Sequence, residues 1–531
     1  MTQPFTHPYL PSTAPDVKQA MLDATGAASV AEFYADVPDE LRLSRPLDLP
    51  TPFPAEQDLA RHVCGILAKN RSTEDRLSFL GHGTYQHYVP AVVDEVINRS
   101  EFLTAYAGEP YEDHGRFQAL FQYQSLMAEL LAMDVVNVPT YDGYQATATG
   151  LAMAGRITGR RRVLVASDVL PAKFSKVADF VRVHLDLERV PTVDGTADAA
   201  AIAARLGDDV AAVWFETPSA TGAVETALRA ISDLAHEAGA IVVVGTDPIG
   251  YGVLTPPAEQ GADIVTGDIQ SLGLHQWYGG AHGGFIAVAD DPTFIMEMPS
   301  RLFGLATTDV PGEVGFGDVA YERTSFAQRE EGKEWVGTAA ALWGIAAGVY
   351  LALMGPQGMA DLGELLLART RYAQQRLATI SGVVLGDGAL HLREFTVNVA
   401  RAGLTAEGVV EALRREGIEP GVVVGEHTLL VCVTELTSQA DIDRLAASLA
   451  GLATAADAST TPATTATILE EQNALVSDAV LPLAPELTQE QNALVSDAVL
   501  PLAPELTQEQ NALVSDAVLP LAPELTQEQN A

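Results

Sequence analysis

Asp247 stands directly after the apolar run AIVVVGT at 240–246, and Tyr141-Asp142-Gly143 opens the Ala-rich stretch YQATATGLAMAGRITG at 144–159. A carboxylate at the end of a strand can keep a ring nitrogen protonated, which makes a heteroaromatic ring an electron sink. A helix start leaves free N–H groups that hold a phosphate, here with Asp142 or Thr140 as the capping side chain. The same chemistry needs an amine that binds an aldehyde as a Schiff base. The segment from Pro248 to Val288 has no lysine; Gln270, Ser271, His275 and Gln276 stand where one belongs. The whole chain holds only Lys18, Lys69, Lys173, Lys176 and Lys333. Lys173 and Lys176 lie upstream, past a different strand, and reach such a site only by an unusual path. Each positive signal also has a plain structural reading: Asp-Pro starts turns, and Asp142-Gly143 suits an ordinary capped helix.

The elements that must position these residues read as α/β over 76–355. Buried strands are expected at RVLVAS (162–167), VRVHL (181–185), VAAVWFE (210–216), AIVVVGT (240–246), 263–266 and GFIAVA (284–289). Between the third and fourth, ETALRAISDLAHEAG (225–239) repeats its apolar residues at helical spacing. Apolar runs alternating with helices imply a mostly parallel sheet covered on both faces. Its ligands bind at the carboxyl ends of the strands, where Asp247 falls. Residues 356–452 read as a small α+β domain, with helices over 361–380, 406–417 and 438–452 and strands at 382–386, 394–400 and 428–435. Residues 1–75 read as a helical arm that wraps a partner or covers the core. Residues 453–471 read as a flexible linker. The 19-residue unit QNALVSDAVLPLAPELTQE then recurs without change at 472–490, 491–509 and 510–528. That tail is either a duplication without function or a multivalent docking segment.

The layout of strand-end carboxylate and phosphate-holding helix resembles that of fold-type-I pyridoxal-phosphate (PLP) proteins, which implies a PLP-transferase-like large domain with a mostly parallel sheet plus a small α+β C-terminal domain. The formal net charge of −39 argues against nucleic acid and anionic membranes as partners. Only Cys64 and Cys432 occur, there is no secretory pattern at the N-terminus and no long apolar run, so a cytoplasmic protein is expected. His275 and His282 are seven apart on irregular chain with no third ligand, so no metal site is expected. With Trp277 they lie in a Gly-rich loop near the sheet's carboxyl end, as pocket residues or plain loop. His87 and Tyr88 read as site residues or a packed cluster, and Glu216 as a pocket cap or a solvated strand end.

Several stretches resemble one family. FLGHGTYQHYVP (79–90), RSEFLTAY (99–106), FQALFQYQ (117–124), YDG (141–143), GADIV (261–265), QSLG (270–273) and Gly279-Gly280 are similar to segments of the N-terminal subunit of glycine decarboxylase, the P-protein of the glycine cleavage system. The resemblance covers about 75–450 in order. It implies an α-type subunit without the PLP lysine that pairs with a lysine-bearing β-type subunit. The complex removes CO2 from glycine and passes the aminomethyl group to lipoyl H-protein. The resemblance brings Tyr106 and Tyr141 near the partner's PLP site, with Asp142, Gly143, Asp247 and His275 as the cofactor-binding candidates on this chain and no catalytic residue of its own. Three stretches depart from the family: AGEPYEDHGR (107–116), GGAHGGF (279–285) and REEGKEWVGTAAALW (329–343). A diverged paralogue acting on another amino acid, or a non-catalytic scaffold subunit, are the alternatives.

Overall fold

The structure, a computed structural model, describes residues 9–45, 47–103, 114–193, 195–300, 302–318, 323–336, 339–386 and 389–458. Tyr106, most of the expected linker and the repeat tail lie outside the described residues. Two compact units divide the chain, residues 1–71 and 72–531. In the first, helix α1 (Pro15–Thr25) starts on proline, whose missing N–H costs nothing there, and stops on left-handed Gly26. Helix α2 (Glu56–Leu67) places Leu59, Val63, Ile66 and Leu67 on one stripe. The unit ends at Arg71 instead of residue 75.

The second unit contains helix α3 (His114–Leu131), strand β1 (Val135–Val136), α4 (Gly143–Thr158), β2 (Arg162–Val165), α5 (Pro171–Val181), β3 (Asp186–Arg189), β4 (Val210–Thr217), α6 (Leu228–Glu237), β5 (Ile241–Thr246), β6 (Ile264–Asp268) and β7 (Gly284–Val288). The strands form one sheet in the order β1-β7-β6-β5-β4-β2-β3. Pairs from β6 through β3 are parallel, and β7 runs antiparallel to both β6 and β1. Alternation along each strand builds two cores. Val213, Phe215, Val242 and Val244 face α3 and its neighbours, whereas Ala212, Trp214, Ile241 and Val243 face α4 and α5. Two buried faces explain why these strands read as unbroken apolar runs.

One expected strand is wrong. VRVHL alternates like a strand, yet Val181 ends α5 and the chain makes one more helical turn, with the Leu185 amide donating to the Val181 carbonyl at 2.8 Å. Val181 and Leu185 are both buried, an i,i+4 pair, so helical spacing prevailed over the period of two. The strand lies just after, at Asp186–Arg189 (DLER). It is an edge strand, with Glu188 paired to Arg162 and Arg205, so its charges hid it.

Helix α7 (Ala341–Ala378) joins the two domains. It carries a kink at Gly355, with φ 59°, immediately before Pro356, which lacks the amide a continuous helix needs. The expected domain boundary at 355/356 thus falls inside a kinked helix. Its first half gives Ala346, Ala347 and Tyr350 to the large core and its second gives Ala373 and Leu377 to the small one. Beyond it, β8 (Val384–Leu385), β9 (Glu394–Asn398), α8 (Ala406–Arg415), β10 (Val422–Gly425), β11 (Thr428–Cys432) and α9 (Gln439–Ala458) form the small domain. Its antiparallel sheet runs β8-β9-β11-β10. Strand β10 was not expected, and α9 continues to Ala458, past the expected start of the linker at 453. Among the described residues no helix is long and apolar enough to cross a membrane.

Candidate functional site

Strands β4, β5 and β6 end together at one cleft of about 260 Å³. Its walls include Glu216 near the end of β4, Asp247 after β5, Asp268 at the end of β6, and the start of α4 at Asp142-Gly143-Tyr144. Helix α5 adds Lys173 and Lys176, the 79–90 loop adds Thr84 and Tyr85, and the small domain adds Arg393 and Glu394.

At the start of α4 the Asp142 carboxylate caps the helix, accepting from the Gln145 amide at 2.8 Å. The Gly143 amide donates to Asp268 Oδ2 at 2.9 Å. Asp268 also accepts from the Gln270 amide at 2.9 Å and pairs with His282 Nδ1 at 3.0 Å. That hydrogen bond raises the His282 imidazole above its ordinary range, against a smaller opposing effect of burial. On its other side His282 Nε2 lies 3.1 Å from Thr84 Oγ1.

Asp247 caps a short 3-10 turn through the Ile249 amide at 3.1 Å and accepts from Ser271 Oγ at 2.7 Å. Its other oxygen is paired with the Arg393 guanidinium, which is buried. Arg393 also bonds His87 Nε2, and its guanidinium carbon lies 3.3 Å from the Tyr85 ring centroid. His87 Nδ1 pairs with Glu435 at 2.6 Å, and burial draws the His87 pKa down. Glu394 accepts from Tyr85 Oη at 2.9 Å and from the His82 amide at 2.6 Å. Burial, then the neighbouring Glu394, pushes the Tyr85 phenol well up. The 79–90 loop and the small domain are therefore fastened to the strand end through charged groups.

Gln270, one of the four residues named in the lysine-free segment, does structural work. Its Oε1 accepts from the Tyr85 amide at 2.9 Å, while Nε2 donates to the Tyr85 and Leu274 carbonyls at 3.0 Å each. Contrary to expectation, Lys173 and Lys176 do reach the cleft, because α5 runs along its rim. Lys173 Nζ is bound to Glu216 Oε2 at 2.8 Å, with only 7% and 11% of the two side chains exposed. Glu216 Oε1 takes the Trp214 indole N–H at 2.7 Å, so it is a committed buried partner and not a solvated strand end. Lys176 Nζ sits 5.3 Å from the Tyr144 ring centroid.

Of the candidates from sequence, Asp142, Gly143, Asp247 and His282 meet at the cleft. His275 does not line it; its Nε2 pairs with the Asp94 carboxylate at 3.0 Å. Tyr141 is exposed and off the cleft wall, and His87 is packed behind it in the charged cluster. Trp277 is about half exposed and Tyr278 is 99% exposed. Sequence reading missed Asp268, Arg393 and Glu394. Asp268 closes the apolar run IVTGD just as Asp247 follows its own run, which is the signal that could have found it.

PLP does not fit these residues. The Gly143 amide at the start of α4, where a phosphate was expected, holds the Asp268 carboxylate, and Asp247, expected to meet a ring nitrogen, is paired with Arg393. Gln270, in the segment where an aldehyde-binding amine was expected, has its side-chain amide spent on backbone bonds.

A mostly parallel sheet whose strand ends open on a polar cleft beside a small antiparallel domain is the architecture of fold-type-I PLP enzymes. The chain resembles a Burkholderia pseudomallei sphingosine-1-phosphate lyase structure (TM-score 0.56, 15% identity, 82% of this chain and 96% of that one) in fold. A crystal structure of glycine decarboxylase (P-protein) of the glycine cleavage system, in inhibitor-bound form, is nearer, with TM-score 0.72 and 33% identity over 85% of this chain and all of that one. The family model described as glycine cleavage system P-protein matches residues 7–449. A Listeria monocytogenes protein named "Probable glycine dehydrogenase (decarboxylating) subunit 1" is 35% identical over 454 residues, 84% of this chain and 99% of its own length. A Geobacillus thermodenitrificans protein of the same name is 35% identical over 446 residues, 82% and 97%. The chain belongs to the glycine cleavage system P-protein family.

Proposed function

We propose that this chain is the non-lysine subunit of a glycine dehydrogenase (aminomethyl-transferring, decarboxylating) complex in the cytoplasm, inactive alone. A lysine-bearing β-type subunit holds the PLP, and lipoyl H-protein receives the aminomethyl group. The single observation that carries this reading is the Gln270 side chain, spent on three backbone bonds in the lysine-free segment where the amine was expected. Family membership and the subunit 1 names of the relatives support it. Bound on the partner, PLP would supply an electron sink. This chain's residues then act by position: the clamped 79–90 loop and the Gly-rich loop around His282 form a preorganised polar surface that orients groups and excludes water. Tyr106 and Tyr141 are proposed to reach the partner's cofactor site, and Asp142, Gly143 and Asp247 to remain structural here.

Co-expression with a lysine-bearing homologue, followed by glycine–bicarbonate exchange with lipoyl H-protein, tests this directly. Exchange by the pair and none by either chain is the expected result. A second reading, a paralogue for another amino acid, is favoured by His282 in the departing GGAHGGF stretch, since that side chain faces the cleft. It predicts exchange with a different amino acid and none with glycine.

A further inference from the structure

We infer that Asp268 is a built-in substitute for a cofactor's phosphate, a carboxylate of the chain itself that fills the anion seat of the fold and closes it to phosphorylated ligands. The argument begins at the helix. The first turn of α4 leaves amides unsatisfied and carries partial positive charge, so it attracts an anion. In this chain the anion is already there, with Asp268 Oδ2 taking the Gly143 amide at 2.9 Å. The seat has been shaped around it. A Cβ on Gly143 would come within 3.0 Å of the Asp268 Cβ and of the Gly267 carbonyl carbon. A side chain there would press on the strand end, because the strand end and the helix start touch.

The groups around Asp268 also suit a carboxylate. Oδ2 receives the Gly143 amide and faces His282 Nδ1; Oδ1 receives the Gln270 amide at 2.9 Å and the Gly283 amide at 3.4 Å. Every neighbour donates, and only a group with acceptors at both ends satisfies them all. His282 links the seat to Thr84 of the 79–90 loop. A bound phosphate would be satisfied in the same way: backbone amides, a helix start and a cation.

The inference rests on the reading that this chain holds no cofactor covalently, and the test keeps the two apart. The full chain is titrated with pyridoxal phosphate, with pyridoxal and with inorganic phosphate, by calorimetry and by quenching of tryptophan fluorescence. The wild type is expected to bind pyridoxal phosphate no more tightly than pyridoxal, and to give no saturable response to phosphate. Asp268→Ala, checked for a native melting transition, is expected to gain phosphate affinity of about tenfold or more, roughly 1.4 kcal/mol. A wild-type preference of tenfold or more for the phosphorylated aldehyde overturns the inference, as does a folded Asp268→Ala chain that binds phosphate no better. If that variant does not fold, the comparison of the two aldehydes on the wild type decides alone. A borohydride-stable adduct on this chain would instead overturn the proposed function, whatever the phosphate result.

Discussion

Replacing Arg393 with methionine removes the charge that joins the small domain to the strand end while keeping the side chain's bulk. The native guanidinium is 3% exposed and Asp247 15%, so the pair is desolvated, and Arg393 also bonds His87 and stacks on Tyr85. Arg393→Met leaves the Asp247 carboxylate buried with only the Ser271 hydroxyl and the Ile249 amide. Breaking a buried pair on one side costs about 3–5 kcal/mol. Adding Asp247→Asn removes the stranded charge, so the double variant should recover about half or more of that loss. Urea unfolding followed by tryptophan fluorescence reads both, with Trp214 buried beneath the cleft as an internal reporter. The midpoint should fall sharply in Arg393→Met and rise again in the double variant. A loss below about 1 kcal/mol, the range of exposed pairs, would refute the buried lock, and so would losses that simply add.

The His282–Asp268 pair makes stability pH-dependent. Because the folded imidazole pKa is raised, its contribution is complete below about 6.5, the unfolded value, and is lost as pH rises through the higher folded value. Comparing wild type with His282→Gln should therefore show a stability difference that shrinks as pH increases through neutrality; a difference that grows would be the wrong sign. Lys173→Met strands Glu216 beside the Trp214 indole and should cost about 3–5 kcal/mol in a denaturation series, with Glu216→Gln restoring much of it. Gly284→Ala would put a Cβ 2.2 Å from the Asp142 carbonyl oxygen, displacing the cap of α4. Overpacking of this kind costs about 1–3 kcal/mol, read as a lowered melting temperature.

Much of the scaffold could be read from the chain, for stated physical reasons. Runs such as AIVVVGT and VAAVWFE are apolar at every position because both sheet faces are covered, and both strands stand where expected. Asp142 caps α4, and Asp247 follows β5 at the cleft. What escaped was everything decided by contacts distant in sequence. DLER hid as a strand because an edge tolerates charge, and Arg393 and Glu394 looked like an ordinary polar start to the run FTVNV. Their task appears only when the small domain brings them against Asp247 and Tyr85, well over a hundred residues earlier. Lys173 and Lys176 follow a different strand, and only the path of α5 along the cleft rim brings them to the site. His275 failed for the opposite reason: its loop turns it toward Asp94.

Those two lysines set the decisive measurement. The isolated full chain is incubated with pyridoxal phosphate, reduced with borohydride, digested and mapped by mass spectrometry, beside the same chain co-purified with a lysine-bearing partner, and unreduced samples of both are assayed for CO2 release from glycine. The account predicts no pyridoxyl label on Lys173, Lys176 or any other lysine of this chain, no release of CO2 without the partner, and label on the partner's lysine when both are present. A pyridoxyl group fixed to Lys173 or Lys176 in a chain that decarboxylates glycine unaided would contradict it.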